Sequence, residues 1–189
     1  MLEEKLPKNL FYHGPHHAID VYNAVVQFDE AGRIEGEPAL LLETAALFHD
    51  AGFIERYEKN EPNGARIASN VLRSFGYSMQ QRKEVKRFIL ATKIPQEPTD
   101  QMEHILCDAD LRYLGGTSFF PTSNNLRREW EARGRVYTEV EWYLLNYSFM
   151  RRHKYFTNSA RMLLNDTKKA NMLQVEAKLE ELGVLTPFA

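Results

Sequence analysis

An all-α fold is predicted by this sequence, on three observations. Apolar residues recur at three- and four-residue spacing from Pro15 to Leu182, capping residues mark where helices should start, and no alternating run lies between hairpin turns. The chain has 189 residues, 43% of them apolar and 26% charged, which suits one domain over 1–189 with a sizeable core. Within it, the motifs occupy a core of about 12–114, and 115–189 reads as a helical C-terminal extension.

The elements follow in order. Met1 to Phe11 has weak periodicity and reads as an arm packed on the domain. Pro15 suits a first helical position with Gly14 as cap, and a helix should run to about Phe28 with Ile19, Val21, Tyr22, Val25 and Val26 on its apolar face. Asp29-Glu30-Ala31-Gly32-Arg33 reads as its end and a loop. Pro38 starts a second, almost wholly apolar helix through Leu40-Leu41-Leu42 to His49, with Gly52 expected as a left-handed cap. A polar, aromatic segment from Phe53 to Asn63 precedes a helix from Gly64 to about Phe75, which Gly76 ends. Ser78 and Gln81 form a capping box for the next, which carries Val85, Phe88, Ile89 and Ala91 and stops before Pro95. Thr99 or Asp100 opens the helix through Asp110 and Leu114, closed by Gly115-Gly116. Pro121 begins another with Leu126 and Trp130 inward, Thr138 one more through Val140, Tyr143, Leu144, Tyr147 and Met150, and Thr157 or Asn158 a last one to about Leu182.

Composition limits the function. A formal net charge of -2 gives no broad basic field for a nucleic-acid polymer. No apolar run is long enough for a membrane span, and the start lacks a signal-peptide pattern. The single cysteine, Cys107, forms no intrachain disulfide and suits a reducing compartment, so a cytoplasmic location is expected.

The chemistry concentrates at a few acids and histidines. Leu42, Ala45, Ala46 and His49 share one helical stripe, so His49 should point inward. Asp50 beside it falls at the helix end, where the macrodipole and burial both disfavour an anion, so it needs a cation. A neighbouring histidine suggests a metal. On the helix around Cys107, Asp110 shares its side with Met102, Leu106 and Leu114. Asp108 falls opposite, one turn before Arg112, as an expected surface ion pair. An acid such as Asp110 in an apolar stripe requires a metal ion, or else an Arg, Lys or helix-end partner. His13 and His17 are four apart, but Pro15 puts His13 ahead of the helix. His17, in its first turn, is the better ligand candidate, and His13 would stand close enough for proton transfer only.

Taken together, His17, the run Phe48-His49-Asp50-Ala51-Gly52 and the run Leu106-Cys107-Asp108-Ala109-Asp110-Leu111 resemble the HD superfamily of metal-dependent phosphohydrolases. Tyr12-His13-Gly14-Pro15-His16-His17-Ala18 is also similar to the paired-histidine motif of the cyclic-nucleotide phosphodiesterases. The resemblance covers about Tyr12 to Leu114. It implies an HD-domain helical bundle with His17, His49, Asp50 and Asp110 as metal ligands and His13 as proton donor. Superfamily members with a full second metal site, diiron oxygenases among them, carry further histidines after the His-Asp pair. The corresponding places here, near Asn60-Glu61 and Thr92-Lys93, have none. One tightly held ion is therefore expected, with any second ion bridged by Asp50.

Two carboxylates and two imidazoles suit manganese, iron, nickel, zinc or cobalt better than calcium, and magnesium stays among the expected ions. Such an ion would lower the pKa of a bound water and polarise a phosphoryl oxygen, with Asp50 orienting the nucleophile and His13 protonating the leaving oxygen. Lys93, Arg56 and Lys59 are the candidates to bind the substrate's phosphate. The expected activity is hydrolysis of a phosphate ester of a nucleotide or other small phosphorylated metabolite, a cyclic nucleotide or other phosphodiester included. The alternatives are a catalytically silent module that keeps the metal and, behind it, a diiron oxygenase. The basic, aromatic stretch Met150 to Phe156 reads first as a helix end whose Arg and Lys complement the dipole, and second as a wall for a stacked base.

Overall fold

The computed structural model of the protein describes residues 5–29 and 34–184. Among these there are eight α-helices and no strand, so the all-α expectation holds. Among the described residues no helix is long and apolar enough to cross a membrane. The chain divides into two compact units, Met1–Leu111 and Arg112–Ala189. Most of the loop expected at Asp29–Arg33, and the first residues of the expected arm, lie outside the described residues.

The first unit holds α1 (Pro15–Phe28), α2 (Glu37–Phe48), α3 (Asn60–Ser74), α4 (Met79–Ala91) and α5 (Gln101–Asp110). Short-range chemistry sets most of the boundaries. Gly14 caps α1 with Pro15 at its first position. Ser78 and Gln81 close the capping box of α4, and the Asp100 side chain accepts from the Glu103 N–H at the start of α5. The core is built from Val21, Val25 and Phe28, from Leu42, Ala45 and Ala46, and from Ala68, Val85, Ile89, Ile105 and Leu106. Two residues assigned to the apolar face of α1, Ile19 and Val26, are instead exposed, and Ala24 and Phe28 take the inner stripe. Glu103, on α5, is buried because Arg87 pairs with its carboxylate and Thr99 donates to it from both its backbone N–H (2.7 Å) and its hydroxyl (2.9 Å).

Two local expectations need correction. Gly52 is not a left-handed cap; it lies in a 3₁₀ turn, Ala51–Ile54, that follows α2. A Cβ there would come within 1.9 Å of the Asn60 carbonyl oxygen, so glycine is required by close approach rather than by φ. Nor does α3 wait until Gly64. It starts at Asn60 behind a left-handed Lys59, because Pro62 sits in the first turn, where its missing N–H costs nothing. At Gly64, a Cβ would meet the His49 carbonyl oxygen at 2.9 Å, which brings α3 against the end of α2.

The second unit holds a 3₁₀ turn at Arg112–Gly115, then α6 (Phe119–Glu131), α7 (Glu139–Arg152) and α8 (Asn158–Glu181). Thr138 and Glu141 form the capping box of α7, and Thr157 caps α8. The helix carrying Asp110 ends there, short of Gly115-Gly116. Gly115 has another use, since a Cβ on it would fall 2.5 Å from the Leu164 carbonyl oxygen on α8. Asn171 on α8 donates to the Leu114 and Gly116 carbonyls at 3.0 and 2.9 Å. On α6 the fully enclosed side chains are Phe119, Ser123 and Glu129, whereas Leu126 and Trp130 are half-buried. Ser123 donates to Asn146 Oδ1 (2.9 Å) and accepts from the Trp142 indole (3.1 Å), which lets three polar groups enter that core. Arg151 and Arg152 lie in the last turn of α7, as the dipole reading of that stretch requires.

Candidate metal centre

Three helix ends of the first unit meet at one point. His17 comes from the first turn of α1, His49 and Asp50 from the end of α2, and Asp110 from the last position of α5. His17 Nε2 lies 3.3 Å from His49 Nε2 and 3.3 Å from Asp110 Oδ1. His49 Nε2 lies 3.2 Å from Asp50 Oδ2 and 3.5 Å from Asp110 Oδ1, and His17 Nε2 lies 3.6 Å from Asp50 Oδ2. Both imidazoles are buried, and the carboxylates are nearly so. His17, His49 and Asp110 form a group able to hold a metal ion, and Asp50 Oδ2 approaches both imidazoles at its edge.

The residues fit a divalent cation on three counts. With neutral imidazoles the donor set carries two negative charges, which such an ion balances. Asp50 Oδ2 is buried and has no hydrogen-bond partner although it faces the cluster. His49 Nδ1 lies 2.8 Å from the Ala46 carbonyl oxygen; an N–H there donates to it and leaves Nε2 as the donor atom toward the cluster.

Burial and charge divide the protons unequally. Burial lowers the proton affinity of His17, and the Asp110 and Asp50 carboxylates only partly offset it, so its pKa lies below the usual histidine value. Burial acts the same way on His49, but Asp50 and Asp110 outweigh it and raise its pKa well above that value. Burial pushes both carboxylates upward. The charge of His49 overrides this at Asp50, hydrogen bonds to His17 and His49 override it at Asp110, and both end below the ordinary carboxylate range.

His13 stands just outside the donor group. Its ring centroid is 5.9 Å from that of His17, and it packs on Phe53 at 4.4 Å and edge-on to Tyr12 at 4.6 Å. It lines a small recess together with Pro15, Ala18, Leu47, Asp50 and Ile54. Arg56, Lys59 and Lys93 are exposed side chains. The first two lie in the turn leading into α3, and the third follows the α4 C-cap Thr92.

Asp108 is not the surface acid expected. It is wholly buried, with 0% of its surface exposed, because α5 is enclosed on nearly every side: Glu103 and every residue from Ile105 to Ala109 are buried. A helical wheel finds one apolar stripe but cannot see a helix covered all round.

Two contributors are given no role by the motifs, although Asn60 falls where superfamily members carry a further histidine. Asn60 Nδ2 donates to Asp50 Oδ1 at 3.0 Å, and Gln96 Nε2 donates to Asp110 Oδ2 at 3.0 Å. Only their polarity and their place near the motif-bearing helices could have pointed to them. No protein-family model matches the chain, and a search of curated proteins finds no match.

Proposed function

We propose that the protein is a metal-dependent phosphohydrolase of the HD type, acting on a phosphate ester of a nucleotide or another small phosphorylated metabolite. One observation carries this reading: two imidazole nitrogens 3.3 Å apart meet two carboxylate oxygens, each 3.2–3.6 Å from both nitrogens, at three helix ends. His17, His49, Asp50 and Asp110 would hold a divalent ion, which when bound supplies Lewis acidity toward a phosphoryl oxygen and a lower pKa for water. Asp50 has one oxygen held by Asn60 and the other facing the cluster, a disposition suited to orienting an attacking water. His13 shares the wall of the recess with Asp50 and belongs to no ligand group, which suits a general acid for the leaving oxygen. Arg56, Lys59 and Lys93 are the cations proposed to meet the substrate's phosphate.

The test is a panel of nucleotide monoesters, cyclic nucleotides and aryl phosphates, assayed with manganese, iron, nickel, zinc, cobalt and magnesium in turn. Turnover with at least one ion is expected, abolished in His49→Ala. His13→Gln should keep its metal and lose about a hundred- to ten-thousandfold on an alkyl ester, with a far smaller loss on a nitrophenyl ester. Metal uptake without turnover of any ester would refute the hydrolase and leave a metal-holding module.

A further inference from the structure

Both carboxylates of the metal centre are gripped in the same way. Each has one oxygen turned to the histidines and the other taken by a side-chain carboxamide: Asp50 Oδ1 by Asn60 and Asp110 Oδ2 by Gln96, both at 3.0 Å. The two amides come from unconnected places, the first residue of α3 and the loop between α4 and α5. Their orientation is fixed by chemistry, because an ionised carboxylate only accepts, so the NH₂ end of each amide must face it.

We propose that Asn60 and Gln96 are positioning residues that commit Asp50 and Asp110 to one oxygen each, so that the centre takes a single small divalent ion through four single-atom donors. The proposal rests on the metal-centre reading above and adds to it the number and mode of the bonds. An oxygen that accepts an amide N–H is turned away from the histidines and is a poorer second donor, which disfavours two-oxygen binding by either acid. The inward oxygens, Asp50 Oδ2 and Asp110 Oδ1, each lie 3.2–3.6 Å from both histidine nitrogens. These are the oxygens that the amides leave free. Gly52 serves the same arrangement: its lack of a Cβ is what lets the backbone of Asn60 approach the turn that carries Asp50.

Cobalt(II) alone is the probe, because its visible spectrum reports coordination number. Asn60→Leu and Gln96→Met keep the approximate volume and remove the N–H donor. The unaltered protein should bind one cobalt per chain with a single set of visible bands. Each variant should bind it about 10- to 100-fold more weakly in competition with a chromophoric chelator. The bands should also shift, as the released carboxylate binds through both oxygens, and mere loss of packing would not produce that change. Should either variant fail to fold, judged by its metal-free melt, Asn60→Ser and Gln96→Ala carry the same expectation. Folded variants with unchanged affinity and spectrum would overturn the clamps and leave the metal centre standing. Two cobalt ions per chain in the unaltered protein would overturn the single-ion claim. An unaltered protein that binds no cobalt would overturn the clamps and the metal centre together.

Discussion

His17 and His49 sit in one cluster and hold their protons differently: the two carboxylates outweigh burial at His49, whereas burial, joined by the charge of His49, prevails at His17. Without metal, the His49 imidazolium serves as the cation of the site. Its pKa is raised, so its contribution to stability is full below the unfolded value of about 6.5 and is lost as pH climbs through the folded value. Asp50 and Asp110 are lowered, so theirs is present above about 3.9 and disappears as pH falls through the folded values. His17, also lowered, opposes His49 by withdrawing stability as pH drops below about 6.5. A metal ion must displace the His49 proton. Binding of zinc at pH 7 should therefore release about one proton, read by calorimetry in buffers of different ionisation heat. Release of none would mean that His49 is already neutral, and that its neighbours do not act on it as described.

At the scale of the element, α5 carries two aspartates with different work. Asp110 ends the helix and faces the histidines, whereas Asp108 is enclosed and is not without a partner. Asp108→Ala should cost about 1–3 kcal/mol of stability, because it leaves a buried partner unsatisfied, while metal content stays at the level of the unaltered protein. Asp110→Ala should do the reverse, losing the ion with helix content largely kept. Denaturant unfolding beside metal analysis separates them, and a silent Asp108→Ala would contradict its burial. The contrast shows what the sequence made legible. Capping at Gly14-Pro15, Ser78-Gln81 and Thr138-Glu141 depends on residues within one turn, so those boundaries were readable. The inward stripe of Leu42, Ala45, Ala46 and His49 was readable for the same reason. The enclosure of Asp108 depends on what packs around α5, and the grip of Gln96 on Asp110 on a loop 14 residues away, which no local pattern encodes. Gly52 was misread because a cap and a close approach both call for glycine, and only the position of Asn60 tells them apart.

For the molecule as a whole, every candidate ligand lies in the unit spanning Met1–Leu111, and the pair His17 and Asp110 closes a separation of 93 residues. An ion joining residues 17, 49, 50 and 110 would tie together segments that in the unfolded chain are far apart and bind it poorly. Its affinity then becomes folding free energy, about 2.7 kcal/mol at a hundredfold excess over its dissociation constant. Chelation should lower the melting temperature, and metal restored to the same sample should return it. Hydrogen exchange should locate the effect, with the largest loss of protection on chelation at the start of α1 and at the ends of α2 and α5, where the proposed ligands sit. Elsewhere in the same unit, the middle of α4 contributes Val85 and Ile89 to the core and no ligand, so it should change least. A melt that stays put after verified removal of the ion would show that the cluster does not draw stability from it. Loss of protection as large in the middle of α4 as at those three helix ends would show that the ion acts on the unit at large rather than through the groups that face it.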